Sequence, residues 1–341
     1  MRGLVAAVAV GAALGSAGLA QAGTVTLAND VMTYQAGAGE SNRVFVVQDL
    51  DGMHLIDLGT TVTAGAGCSQ VNANEAFCET GDAGLLTIVV AADDQNDYVD
   101  LRPTQIYWRS ILDGEAGDDE LIAGNAAFEN VFDGGPGGDT FSGRGTVDYS
   151  TRTNPVTVTI GDGLANDGEA GENDLVPDEI TRVLGGEGGD SLTTLDSPNV
   201  LATSLIGGGG SDTLTVLRQF SFGRLEGGPG ADELQIGDTQ GIALGGEGND
   251  LLVGGHDSQT LQGEGGNDEI RGTAGRDRLI GGSGADTING GPAKDSVSGG
   301  HGADTILARD HKRDTLDGGA GVDRAHVDKG LDRLLNIEEL F

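Results

Sequence analysis

The chain has 341 residues, of which 62 are glycine and only 4% aromatic, which excludes a conventional layered core built on large side chains. Acidic residues outnumber basic ones by 54 to 19, and the formal net charge of −35 disfavours nucleic acid and anionic membrane surfaces while favouring cations. Such a chain stays unfolded unless it is periodic or binds something that offsets its conformational entropy.

Residues 1–22 read as a secretory signal peptide: Arg2, the apolar run LVAAVAVGAALGSAGLA, then Ala20-Gln21-Ala22 as a small-residue cleavage site. A membrane anchor is the alternative, but the run is short and rich in alanine and glycine. No second apolar stretch is long enough to span a bilayer, so the mature product is expected outside a bacterial cell.

Residues 23–92 alternate apolar and polar in RVFVVQDL, GMHLIDL and LLTIVVAA, between glycine and acidic turns, which predicts short β-strands. This segment is expected to start and cover whatever repeat follows, a small ligand-binding domain being the alternative. Cys68 and Cys78 are the only cysteines, and in an exported protein they predict one disulfide closing a surface loop. A two-thiolate metal site is the weaker reading, since no histidine or further cysteine lies near them.

From about residue 93 the chain is periodic. After an eroded unit, ADDQNDYV with Asp97, an octet of the form G-G-x-G-x-D-x-apolar recurs intact seven times. GGPGGDTF supplies Gly134, Gly135, Gly137 and Asp139; GGEGGDSL supplies Gly185, Gly186, Gly188 and Asp190; GGGGSDTL supplies Gly207, Gly208, Gly210 and Asp212. GGPGADEL carries Gly227, Gly228, Gly230 and Asp232, and GGEGNDLL carries Gly245, Gly246, Gly248 and Asp250. GGSGADTI adds Gly281, Gly282, Gly284 and Asp286, and GGHGADTI adds Gly299, Gly300, Gly302 and Asp304. Imperfect copies place Asp119, Asp268, Asp277, Asp295 and Asp323 in the same position, and Asp314 follows Asp295 at nearly the same spacing.

These octets, over roughly residues 93–325, resemble the RTX, or haemolysin-type, calcium-binding nonapeptide-repeat family. The resemblance implies an all-β chain folded as a right-handed parallel β-roll: each unit is a six-residue glycine turn and a three-residue strand, and two units make one coil. The residues fit that geometry. Glycines permit the turns, and Leu192, Leu214, Leu234, Leu252, Ile270, Ile288 and Ile306 supply one inward apolar residue each.

With eighteen residues per coil, units nine apart should lie on opposite edges and units eighteen apart should stack. One column would be Asp190, Asp212, Asp232, Asp250, Asp268, Asp286, Asp304 and Asp323; a second would be Asp277, Asp295 and Asp314, with Gln259 replacing the acid one coil earlier. Earlier coils turn their second corner with LDSPN or LRQF instead, so ions are expected on one edge before about residue 250 and on both edges after it. Carboxylates stacked about 4.8 Å apart repel by about 3 kcal/mol per pair at an effective dielectric of about 20. Divalent ions relieve that repulsion. Calcium is the expected ion, because oxygen-only ligation by carboxylates and turn carbonyls at flexible angles suits it better than magnesium.

Residues 142–184 interrupt the octets and are expected as an insertion in which a strand, Val156–Ile160, precedes an acidic loop with Asp162, Asp167, Glu169, Glu172, Asp174 and Asp178; an extra calcium site and a solvated excursion are both open readings of those acids. The tail, residues 326–341, gathers Leu331, Leu334, Leu335, Ile337, Leu340 and Phe341 and is read as a cap, an export signal being the alternative. No H-E-x-x-H or G-x-S-x-G motif occurs, and His54, His256, His301, His311 and His326 are scattered, so surface or packing roles are expected for all five. Trp108 beside Tyr107 is read as packing where the N-terminal segment meets the roll. The expectation is a secreted, non-enzymatic calcium-binding protein of structural or adhesive character, whose partners are calcium ions and a cell-surface or matrix polymer. The alternative is a calcium-dependent hydrolase or polysaccharide-modifying enzyme whose site goes unrecognised.

Overall fold

A computed structural model describes residues 22–49, 51–80, 87–102, 109–124, 129–195, 203–217 and 222–341. The leader, Tyr107, Trp108 and most of the LDSPN and LRQF corners lie outside the described residues.

The described residues contain strands and turns and no α-helix. The strands form a 16-stranded sheet along one wall, and a 7-stranded and an 11-stranded sheet that follow one another along the opposite wall. Chain order explains the pattern: after each glycine turn the next three or more residues extend and pair in parallel with the strand one coil back. On one wall Leu214, Leu234, Leu252, Ile270, Ile288 and Ile306 stand in register. On the other, Leu225, Ala243, Leu261, Leu279, Val297 and Leu316 do the same. From Leu252 to Ile306 each step is eighteen residues, so every residue keeps its place in the coil and the all-β parallel roll is observed as expected. Both rows are buried and face each other as a thin aliphatic core. Its narrowness is why small and medium aliphatic residues suffice.

Toward the N-terminus the pairing changes character. Gly23–Ala28 and Val31–Gln35 form an antiparallel hairpin whose turn residues, Asn29 and Asp30, take positive φ. Val31–Gln35 then pairs in parallel with Thr87–Ala91, and Arg43–Gln48 pairs in parallel with Tyr98–Asp100, so the segment contributes a rung to each wall. Beyond those rungs Gly52–Asp57, Glu75–Glu79 and Cys68–Asn72 pair antiparallel. Cys68 and Cys78 are a directly opposed cross-strand pair joined by a disulfide.

The stretch 142–184, expected as an inserted loop, is only partly one. Thr146–Asp148 and Arg182–Leu184 are rungs of the long wall, and Val156–Ile160 opens the 11-stranded wall, because Val147, Val156, Val158, Ile160 and Val183 all bury inward. The excursion narrows to residues 161–181, and its Val176 and Ile180 are buried in the core. Arg333–Leu335 and Glu339–Leu340 extend both walls by one rung, with Leu334 and Ile337 against the core and Leu335, Leu340 and Phe341 exposed.

Candidate metal columns

Each repeat aspartate precedes a strand and turns back toward the edge of the roll, where it meets the aspartate of the neighbouring coil. On the first edge the backbone N–H of Asp190 donates to Oδ1 of Asp212, and the same bond links Asp212, Asp232, Asp250, Asp268, Asp286, Asp304 and Asp323 in turn, at 2.7–2.9 Å. A shorter run on the same wall joins Asp97, Asp119, Asp139 and Asp174 at 2.8–2.9 Å. On the second edge Gln259 donates to Asp277, Asp277 to Asp295, Asp295 to Asp314 and Asp314 to Asp332, at 2.9–3.1 Å. Sequence reasoning missed Asp332, and it placed Asp174 among the acids of the loop and not in a column. Asp332 was findable, standing eighteen residues after Asp314 and two before an inward leucine; Asp174 has no glycine octet around it and could not be found that way.

Along most of these ladders only one carboxylate oxygen is used. Oδ2 of Asp97, Asp119, Asp139, Asp212, Asp232, Asp250, Asp268, Asp277, Asp286, Asp295, Asp304, Asp314 and Asp323 is buried with no hydrogen-bond partner. A buried, unpaired carboxylate oxygen costs several kcal/mol unless a proton or a cation meets it. The glycines shape what surrounds it. A Cβ built on Gly281 would lie 2.2 Å from Oδ2 of Asp286 and 2.5 Å from the carbonyl oxygen of Gly299 on the next coil. Both oxygens therefore converge on a spot that only glycine leaves open. Gly134, Gly207, Gly227, Gly245 and Gly299 stand in the same relation to Asp139, Asp212, Asp232, Asp250 and Asp304. The next glycine of the octet, Gly282, takes φ +124°, which turns the corner and is closed to most side chains; Gly135, Gly208, Gly228, Gly246 and Gly300 also adopt positive φ.

Some aspartates need nothing further. Asp174 accepts from the Asp139 N–H and, through Oδ2, from the hydroxyl of buried Tyr149 at 2.8 Å. Asp167 accepts from the N–H groups of Thr159 and Val176. Asp190 accepts from the Val156 N–H and, through Oδ2, from the N–H of Gly186 in its own octet. Gly186 does not take the left-handed conformation of Gly208 or Gly246, and that difference turns its N–H onto the carboxylate. Asp57, near the N-terminal end, is likewise held by the Tyr34 hydroxyl and the N–H groups of Arg43 and Gly59.

Electrostatics follows burial. Removal from water raises the carboxyls of Asp119, Asp212 and Asp277 to about 7, Asp139 to about 8, and Asp250, Asp286, Asp295 and Asp314 to about 6, with neighbouring carboxylates pushing the same way. Among the described residues no three acid, histidine or cysteine side chains form a compact cluster, so a bound ion would take one carboxylate per turn and backbone carbonyls for the rest. That is an all-oxygen donor set suited to a hard cation, and the orphaned oxygens beside open glycines fit it.

A family model described as the RTX calcium-binding nonapeptide repeat matches in four copies, at residues 244–279, 262–297, 280–309 and 312–334. The C-terminal part of the chain is an RTX repeat array. These repeats bind calcium, and they coincide with the coils in which both edges carry aspartates. The match is narrower than the region that resembles RTX octets in sequence; the earlier coils, with Asp119, Asp139, Asp190, Asp212 and Asp232, join the same ladders but lie outside it. No curated protein matches the chain.

Elsewhere, His54 sits between Glu75 at 2.7 Å and Asp49 at 3.0 Å, packed on Phe77, and the two carboxylates raise its pKa against the opposing effect of burial. His256 pairs with Asp238, and His326 stacks on Phe341. Among the described residues no helix is long and apolar enough to cross a membrane.

Proposed function

We propose that this is a secreted calcium-responsive structural or adhesive protein, in which calcium completes the fold by meeting the carboxylate oxygens that the protein itself leaves unpaired. The observation that carries this reading is the row of buried, partnerless Oδ2 atoms, many of them, as at Asp119, Asp232, Asp250, Asp268, Asp286 and Asp304, facing a glycine and the carbonyl of the next coil. The ligands would be Asp97, Asp119, Asp139, Asp212, Asp232, Asp250, Asp268, Asp286, Asp304 and Asp323 on one wall, and Asp277, Asp295 and Asp314 on the other, with turn carbonyls. Calcium there supplies positive charge that binds successive coils together. Asp190, Asp174 and Asp167 would hold no ion, since the N–H groups and Tyr149 already occupy them. The N-terminal hairpin and disulfide-linked strands would start the roll and cover its first coil, as repeat proteins require.

Ion binding and folding would be linked, each occupied site adding stability that grows with calcium concentration above its dissociation constant. The test is far-UV circular dichroism and sedimentation in EDTA and in millimolar calcium, with bound calcium counted by atomic emission after gel filtration. Large gains in β signal and compactness with calcium are expected. Equal spectra in both buffers, or no retained calcium, would sink the reading.

A further inference from the structure

The two edges of the roll present the same carboxylate ladder in different electrostatic settings. The groove along the first edge is lined, beside Asp212, Asp232, Asp250 and Asp268, by Ser211, Ala231, Asn249, Asn267 and Ala285, with Glu233 and Glu269 on the following strands. The groove along the second edge is lined, beside Asp277 and Asp295, by Ser258, Arg276 and Lys294. The residue before each second-edge aspartate is thus Arg276, Lys294 and then Arg313, exposed cations on successive coils, whereas the first edge has neutral residues there. Among the described residues none of the three forms a salt bridge, although Asp310, which accepts from the Ala293 N–H, stands on the same edge. Burial, Asp314 and Asp310 raise the Asp295 carboxyl, and Arg276 is the side chain that opposes them.

Resting on the calcium reading above, we propose that Arg276, Lys294 and Arg313 are guard cations that weaken calcium binding along the second edge, so that the two edges load at different calcium concentrations. A cation one residue from the ligand repels an incoming divalent ion at a distance well inside the Debye length, while Glu233 and Glu269 attract it to the first edge. The first column then fills and orders the coils, and the second closes only at higher calcium. The protein has two calcium set-points on one scaffold. Because the guard charges are solvent-exposed, added monovalent salt narrows the gap between the two classes of site.

The experiment is calorimetric calcium titration of the full chain, with circular dichroism as a fold control, on the wild type, the triple variant R276Q/K294Q/R313Q, and the double variant A285K/A303K, which places cations before Asp286 and Asp304. All five positions are exposed, so the folded state should survive. The wild type is expected to show two classes separated by about three- to tenfold. The triple variant should tighten the weaker class by a similar factor and leave the tighter one in place; the double variant should weaken the tighter class. Calcium uptake with isotherms unchanged in both variants would overturn the guard proposal alone. No calcium uptake by the wild type would sink the reading beneath it, which is a separate and distinguishable result.

Discussion

The coils around Asp174 and Asp190 and the coils from Asp212 to Asp323 place the same residue type along the same wall and treat it in opposite ways. In the first region both carboxylate oxygens of Asp167, Asp174 and Asp190 have donors from the protein: Asp139, Tyr149, Gly186, Val156, Val176 or Thr159. In the second, one oxygen of each aspartate has none. Two solutions to one electrostatic problem thus share a scaffold. A seam that completes its own hydrogen bonds divides two runs of carboxylates that each leave one buried oxygen without a partner. What holds a coil in the roll is therefore not uniform along its length.

The largest expected effect of that difference is in amide hydrogen exchange. After chelation, protection should collapse at Leu252, Ile270, Ile288 and Ile306 and persist longest at Val156–Ile160, whose strand lies in the seam. Uniform loss of protection along the roll would break the distinction. Next in size is a paired substitution. Asp174→Ala strips partners from the Tyr149 hydroxyl and the Asp139 N–H, and should cost about 2–5 kcal/mol with or without calcium. Asp286→Asn keeps an oxygen for the Asp268 N–H but removes the charge. It should lower stability in calcium by the loss of one site, and in EDTA should be neutral or stabilising by up to about 3 kcal/mol, because repulsion along the column is relieved. Urea midpoints in the two buffers read both variants.

pH offers a third, smaller lever. The ladder carboxyls are raised in the fold, so the calcium-free folded state holds more protons than the unfolded chain between the ordinary carboxylate range and about pH 6 to 8. Calcium-free stability should therefore be greatest at low pH and fall as pH rises through that window, while calcium affinity rises and binding releases protons. Urea midpoints in EDTA that increase from pH 5.5 to pH 8 would contradict this. The smallest effect concerns a non-glycine residue held at φ +76°, Glu264, in a turn where neighbouring octets have glycine. Glu264→Gly should stabilise the calcium-loaded protein by about 1 kcal/mol, seen as a shift in thermal midpoint.

Much of this molecule was legible in its residues, and the limits are instructive. The columns from Asp232 to Asp304 and from Asp277 to Asp295 follow from counting eighteen, because coils of constant length leave each residue no other place to stack. Counting failed in the stretch 142–184. There the rung at Thr146–Asp148 carries a valine but no glycine octet, and a strand without its turn signal reads as part of the interruption; Val156–Ile160 was legible as a strand, though not its place in the wall. Asp174 reaches its column only through the excursion that follows those strands.

The octets and their resemblance to RTX repeats determined the all-β roll and its eighteen-residue coil, and on that coil the spacing alone set the inward aliphatic rows and the alignment of the aspartates. Only the tertiary structure decided which carboxylates are complete and which are left wanting. That outcome turns on a tyrosine brought from 25 residues away to Asp174 and on the direction of one glycine N–H beneath Asp190. Hydrogen bonds are satisfied by position and orientation in space, and an intact GGEGGDSL octet carries no mark of either.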